Sequence, residues 1–226
     1  MIQGLYASAS AMMAQLDQQD IISNNLANVS TPGFKQTRVS FSNFIAELSD
    51  AYGAEPRSSA AQVKCVIPIL NTKQDETIGQ VIDTESKTNL AIDGPGFFVV
   101  STSTGEILTR SGNFKLNQAG QLVTQEGNPV LGENGPITIT SDNWSVEPEG
   151  NVKVGGTIVN KLRIHTDSSN TAGKVIQGSL EGSNVNVVLE MVSMISALRT
   201  YEANQKVIQS IDQTLDKVIN QMPRTV

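Results

Sequence analysis

Counting forward from Val187 in steps of three and four lands on Met191, Met194, Leu198, Tyr201, Gln205, Ile208, Asp212, Leu215, Ile219 and Met222. Nine of these eleven positions, Val187 included, are apolar. Such spacing puts one apolar seam along a helix and favours a coiled-coil-like contact over an isolated surface helix. A helix over residues 184–222 would be roughly 58 Å long, well beyond the usual three or four turns. Asn186 is placed to cap its start, and Glu190 falls in the first turn, where the helix dipole favours a carboxylate. A domain of this size cannot easily cover so long a seam.

The other end of the chain carries a second helical stripe. Ile2, Leu5, Ala9, Met12 and Leu16 follow the same steps, and Ile22, Leu26 and Val29 resume it after Gln19. No Gly or Pro stands between Leu5 and Thr31 to break that helix. It stops at SNNLANVSTPGFK. Pro32 disfavours helical geometry at Thr31, and Asn28 is a helix terminator that tolerates the left-handed conformation. Thr31-Pro32-Gly33-Phe34 fits a type II turn, although an ordinary helix stop before a loop fits equally well.

The middle of the chain, 76–183, reads differently. Glycines recur from Gly94 to Gly156 between short β-branched and aromatic segments, FFVV, ILTR, QLVT, PITIT, WSVE, NVKV and IVNKLRI. That spacing predicts an all-β domain of hairpins and meanders. Residues 35–75 join it to the first helix as an extended connector that includes AYGAEPRSSAAQ. The expected fold class is therefore α+β. The paired helical ends are 1–34 and 184–226, with the β domain inserted between them.

Composition narrows the function. The 226 residues carry a net charge of −6, against a nucleic-acid-binding surface. Hydrophobic content of 38 % and charged content of 17 % are both low for a compact enzyme. The one cysteine, Cys65, lies in the apolar run CVIPIL and reads as a small buried hydrophobe. The first basic residue is Lys35, so no secretory signal is expected, and no run approaches the ~18 apolar residues of a membrane span. A single histidine, His165, excludes a multi-histidine metal site. Gly94-Pro95-Gly96 lacks the third glycine of a dinucleotide loop and runs into a strand. Asp83 with Glu85, and Glu147 with Glu149, fit solvated strand faces better than acid–base pairs. The reading is of a protein with no catalytic residue, cofactor or metal, neither bound to nucleic acid nor inserted in a membrane.

Three stretches, in order, resemble the flagellar rod and hook family, the axial proteins of the bacterial flagellar basal body. They are NNLANVSTPGFK, then LAIDGPGFFVVSTSTGEILTRSGNFKLNQAGQLVTQEGNPVLG, then EGSNVNVVLEMVSMISALRTYEANQKVIQSIDQTLDKV. GSLEGSNVN and LGENGPI look more like the proximal rod type, and FSNFIAEL like the distal type; the proximal type is favoured. Few residues separate LRIHTD from VIQGSL, where the family has a longer stretch, which implies a smaller β domain. The resemblance implies that the two helices pair as a coiled coil lining a hollow tube, with the β domain outside. It also implies export through the flagellar type III apparatus after synthesis in the cytoplasm, and assembly outside the inner membrane with copies of itself and other rod and hook subunits.

On this reading the assembly seam is Leu5, Met12, Leu16, Ile22 and Leu26 in the first helix. In the last helix it is Met191, Met194, Leu198, Tyr201, Ile208, Leu215 and Ile219. Asn24, Asn25, Asn28, Thr31, Gly33 and Phe34 shape the exit turn, and Ser183, Asn184 and Asn186 the start of the last helix. Gln19 and Gln205 interrupt the seams and can fix register. The competing reading is a soluble adaptor or chaperone that binds partners through its long C-terminal helix.

Overall fold

The computed structural model describes residues 2–43, 68–166 and 173–221. Cys65, the polar stretch 51–62, most of FSNFIAEL, Met222 and the short link after LRIHTD lie outside the described residues. The chain divides into two units. The first comprises Met1–Ala27, Thr37–Asp75 and Asn186–Val226; the second comprises Asn28–Gln36 and Glu76–Val185.

Helix α1 spans Ile2–Ala27 and belongs to the first unit. Strands β1 (Thr37–Asn43) and β2 (Pro68–Gln74) follow in the same unit as an antiparallel ribbon, with Val39 opposite Thr72. The expected connector thus contains a hydrogen-bonded ribbon, because Thr37, Val39 and Phe41 alternating with Arg38, Ser40 and Ser42 suit a pleated strand. Arg38 closes on Asp75 at 2.6 Å.

The second unit holds the remaining strands. They are β3 (Val81–Asp83), β4 (Leu90–Asp93), β5 (Phe97–Thr102), β6 (Gly105–Thr109), β7 (Lys115–Leu116) and β8 (Leu122–Val123). Then come β9 (Leu131–Gly132), β10 (Gly135–Pro136), β11 (Trp144–Val146), β12 (Asn151–Val154), β13 (Thr157–Lys161), β14 (Ile164–His165), β15 (Lys174–Gln177) and β16 (Ser179–Glu181). Five of the eight strand pairings in this unit join neighbours in sequence as hairpins, as frequent glycine turns dictate. The exceptions matter more. The unit's first strands pair with its last, β3 with β16 and β4 with β15, so the two ends of the inserted domain lie side by side.

The core follows from strand alternation. Trp144 and Val146 of β11 point inward against Val154 and Val152 of β12, with Ser145 between them outside. Leu90, Ile92, Phe98, Phe114, Leu122, Val130, Ile137, Ile139, Leu162 and Val175 complete it. Phe98 and Phe114 meet edge to face with ring centres 5.2 Å apart. Gly112 passes so close to β4 that a Cβ there would sit 1.5 Å from the Leu90 carbonyl oxygen, and only glycine fits.

Helix α2, Val187–Gln221, returns to the first unit and packs against α1. Its 35 residues make it roughly 52 Å long.

Candidate assembly surface

The inward stripe of α2, buried at Glu190 and Ala197 and half-buried elsewhere, runs through Val187, Glu190, Met194, Ala197, Tyr201, Asn204, Ile208, Ile211 and Leu215. Every step is three or four residues. It shares Met194, Tyr201, Ile208 and Leu215 with the seam expected from the sequence. The intermediate positions differ by one residue. Ala197 is 4 % exposed and Leu198 41 %, so the small neighbour faces in and the large one stays out. Met191 is likewise exposed, with Glu190 buried in its place. Both orders of three and four satisfy a heptad, and hydrophobicity alone selects the larger residue. Packing selects the alanine, because a small side chain lets two helices approach closely.

The seam therefore divides into two faces. Val188, Leu189, Met191, Val192, Ile195 and Leu198, between 41 and 69 % exposed, form a second apolar face on the N-terminal half of α2. An open hollow of about 420 Å³ lies along Val192, Ile195, Arg199 and Ala203. In α1, Ile22 is buried and Met12 and Leu26 are half-buried, while Leu5 and Leu16 are exposed. Ala14, midway between the expected Met12 and Leu16, is buried instead. α2 extends through Ile219, whose side chain is not among those described.

The exit turn explains its residues one by one. Asn25, 1 % exposed, donates from Nδ2 to the Thr37 carbonyl (2.9 Å) and accepts from the Thr37 N–H at Oδ1 (3.0 Å). It meets Thr37 much as a neighbouring strand would. Asn24 is exposed. Asn28 does not take the left-handed conformation expected of it; Glu85 is the one non-glycine residue with positive φ among those described. The Asn28 carbonyl instead accepts the Thr31 N–H (3.1 Å), and its side-chain oxygen accepts the Thr31 hydroxyl (3.1 Å). A local side-chain bond thus does the terminating. The Phe34 N–H then donates to the Thr31 carbonyl (3.3 Å), with Gly33 at φ +72°, as a type II turn requires. A Cβ on Gly33 would also lie 2.4 Å from the Arg110 carbonyl carbon, so the turn sits directly on the 110–111 backbone.

At the other helix, Asn186 Oδ1 accepts the Val188 and Leu189 N–H groups (3.0 and 3.2 Å), a full N-cap. Ser183 Oγ accepts from the Val185 N–H. Asn184 has a different task from the one expected: its Oδ1 takes the Gln36 N–H (2.7 Å), and its Nδ2 reaches the Thr77 carbonyl and hydroxyl. It ties two chain segments together.

A cluster that pattern reading missed lies beside the turn. Lys35 Nζ meets Glu181 Oε1 at 2.5 Å, and Arg110 Nη1 meets Glu181 Oε2 at 3.2 Å. All three side chains are buried. The ammonium and both Nη groups also reach backbone: Lys35 donates to the Thr77 carbonyl, and Arg110 to the carbonyls of Ile92 and Gly94. Glu181 Oε1 also accepts the Gly79 N–H at 3.0 Å. The Arg110 guanidinium lies 5.5 Å from the centre of the Phe97 ring, and its Nε is buried without a partner. A signal existed in the sequence. Each of the three stretches quoted for the family resemblance carries one member of this triad.

The residues weighed as chemical groups have structural partners. Glu147 pairs with Lys153 and Asn151, and these bonds, the lysine's first, hold its carboxyl below the ordinary value. Glu85 donates its backbone N–H to Asp83 in a tight turn. His165 stands in β14 opposite Phe97. No cluster of His, Cys, Asp or Glu suited to a metal occurs among the described residues. No helix there is long and apolar enough to cross a membrane.

Three family profiles match the chain in order. They are the flagella basal body rod protein over residues 5–35, the flagellar hook protein FlgE/F/G D1 domain over 91–154, and the flagellar basal body rod FlgEFG protein C-terminal region over 176–222. FlgG of Buchnera aphidicola subsp. Acyrthosiphon pisum is 34 % identical across 96 % of the chain and 99 % of the relative. FlgG of Bacillus subtilis is 31 % identical across 97 and 99 %. FlgF of Escherichia coli is 30 % identical across 92 and 93 %.

The chain belongs to the flagellar basal-body rod protein family.

Lys35, Arg110 and Glu181 fall one in each of the three matched rod-family regions, so the triad is a place where all three regions meet in space. The alignment with FlgG of Buchnera aphidicola subsp. Acyrthosiphon pisum covers 257 positions against the 226 residues of this rod-family chain, so that relative carries residues this chain lacks.

Proposed function

We propose that this chain is a structural subunit of the bacterial flagellar basal-body rod. It is exported by the flagellar type III apparatus and polymerises head to tail into a hollow shaft with copies of itself and other rod and hook subunits. α1 and α2 pair as a coiled coil on the inside of the tube, and the β unit forms its outer layer. The observation that carries this reading is the second apolar face of α2. Six large apolar side chains along little more than three turns of one helix are more than a monomer's surface ordinarily leaves uncovered. A neighbour that covers this face with a different part of its own surface makes a heterologous contact, and such contacts propagate into filaments.

Fractionation of motile cells tests the proposal. The chain is expected with purified basal bodies, and recovery only in the soluble fraction would refute it.

A further inference from the structure

The turn residues 28–36 belong with the β unit, although they continue directly from the first helix in sequence. Three features hold them there. The Gly33 N–H donates to the Glu181 carbonyl (2.7 Å), and the Gln36 N–H donates to Asn184 (2.7 Å). Between those two bonds, Lys35 sends its ammonium into a site closed by Glu181, Gly79 and the Thr77 carbonyl.

The charges matter because of what they exclude. The buried cluster contains two cations and one carboxylate, each aimed at a defined oxygen or N–H. Burying such groups costs desolvation, which is recovered only when each charge meets its opposite partner. A segment shifted by one residue would place Gln36 or Phe34 where Lys35 stands, and leave Glu181 without one of its two cations. An apolar plug would tolerate such a slip. The triad therefore specifies register, the best-attested use of a buried polar group.

We infer that the Lys35–Glu181–Arg110 triad is a positioning device that keeps residues 28–36 docked on the β unit in the free chain, whether or not α1 is helical. Disorder arising in the first helix then stops at Ala27, and a subunit enters assembly with its exit turn already set. Lys35, Glu181 and Arg110 are the positioning residues. This goes beyond the rod reading and does not require it, since it concerns the isolated chain.

The test is amide hydrogen exchange of the full chain in dilute solution, resolved at Gly33 and Gln36 and compared with strands β8 to β12. In the unaltered chain, Gly33 and Gln36 are expected to be protected with those strands and not with α1. Lys35→Met keeps the aliphatic stem and removes the ammonium. It should raise exchange at Gly33 and Gln36 by about tenfold or more while the strands stay within about twofold, the signature of a local opening. Glu181→Gln should do the same, and if that variant does not fold, Lys35→Met alone decides. Exchange of Gly33 and Gln36 at the rate of α1 in the unaltered chain would overturn the inference. So would an unchanged rate in Lys35→Met, or an equal rise throughout the β unit, which would make the triad general core stability. Basal-body fractionation reads the rod assignment separately, so failure of one does not imply failure of the other.

Discussion

Leu198→Asp separates the helix's two faces. Leu198 is 41 % exposed, so somewhat over half of its surface is already covered within the chain. Full burial of a leucine contributes about 1.5–3 kcal/mol, so the free chain should lose about 1–2 kcal/mol from the missing contact. The exposed remainder represents about 0.6–1.2 kcal/mol that a neighbouring subunit can still gain by covering it. An aspartate there does worse than forfeit that gain, because an unpaired carboxylate in a covered apolar contact costs several kcal/mol more. Leu198→Ala, which forfeits only the gain, should weaken each contact about three- to eightfold. The β unit should be untouched, since Leu198 belongs to the other unit. The assays are swarming motility, electron microscopy of basal bodies, and thermal unfolding of the purified variant. Expected are non-motile cells without complete rods and a β unit that melts as before. Normal motility in Leu198→Asp would refute the assignment of this face to assembly.

Other perturbations read the fold itself. Ala197→Leu should destabilise the packing of α1 on α2 by about 1–3 kcal/mol through overpacking, visible as a lower helical melting temperature. Gly33→Ala forces a Cβ into the Arg110 backbone at positive φ, and should cost about 1–3 kcal/mol or more in chemical denaturation. Asn186→Ala removes the cap of α2 and should cost about 0.5–2 kcal/mol by the same measurement. Glu147 has an ordinary value of 4.5 that its bond to Lys153 lowers in the folded state. Its contribution is therefore present above pH 4.5 and lost as pH falls through the lower folded value. An NMR titration should place the Glu147 midpoint below 4.5, and Lys153→Met should move it upward. The six exposed apolar residues on the N-terminal half of α2 offer about 5–10 kcal/mol, comparable with the ~4–15 kcal/mol that association costs. Sedimentation should accordingly find the dilute chain monomeric, with assembly requiring several contacts at once.

The sequence by itself determined what local rules and short-range pattern control. Both long helices, the Asn186 cap, the turn at Thr31 to Phe34 and the hairpin-rich middle are all legible, because each depends on residues a few positions apart. The family was legible too, from three motifs in order. The tertiary structure alone decided which face of α2 turns inward, since Ala197 and Leu198 satisfy the same period and only the closeness of a second helix favours the smaller side chain. It also decided that Asn184 ties Gln36 to Thr77, and that Asn25 rather than Asn24 turns in. Lys35 and Glu181 stand 146 residues apart in the chain, and no periodicity links them. Their pairing exists because the turn after the first helix docks beside β16, with the Gly33 N–H on the Glu181 carbonyl, which puts one charge from each matched region into a buried site.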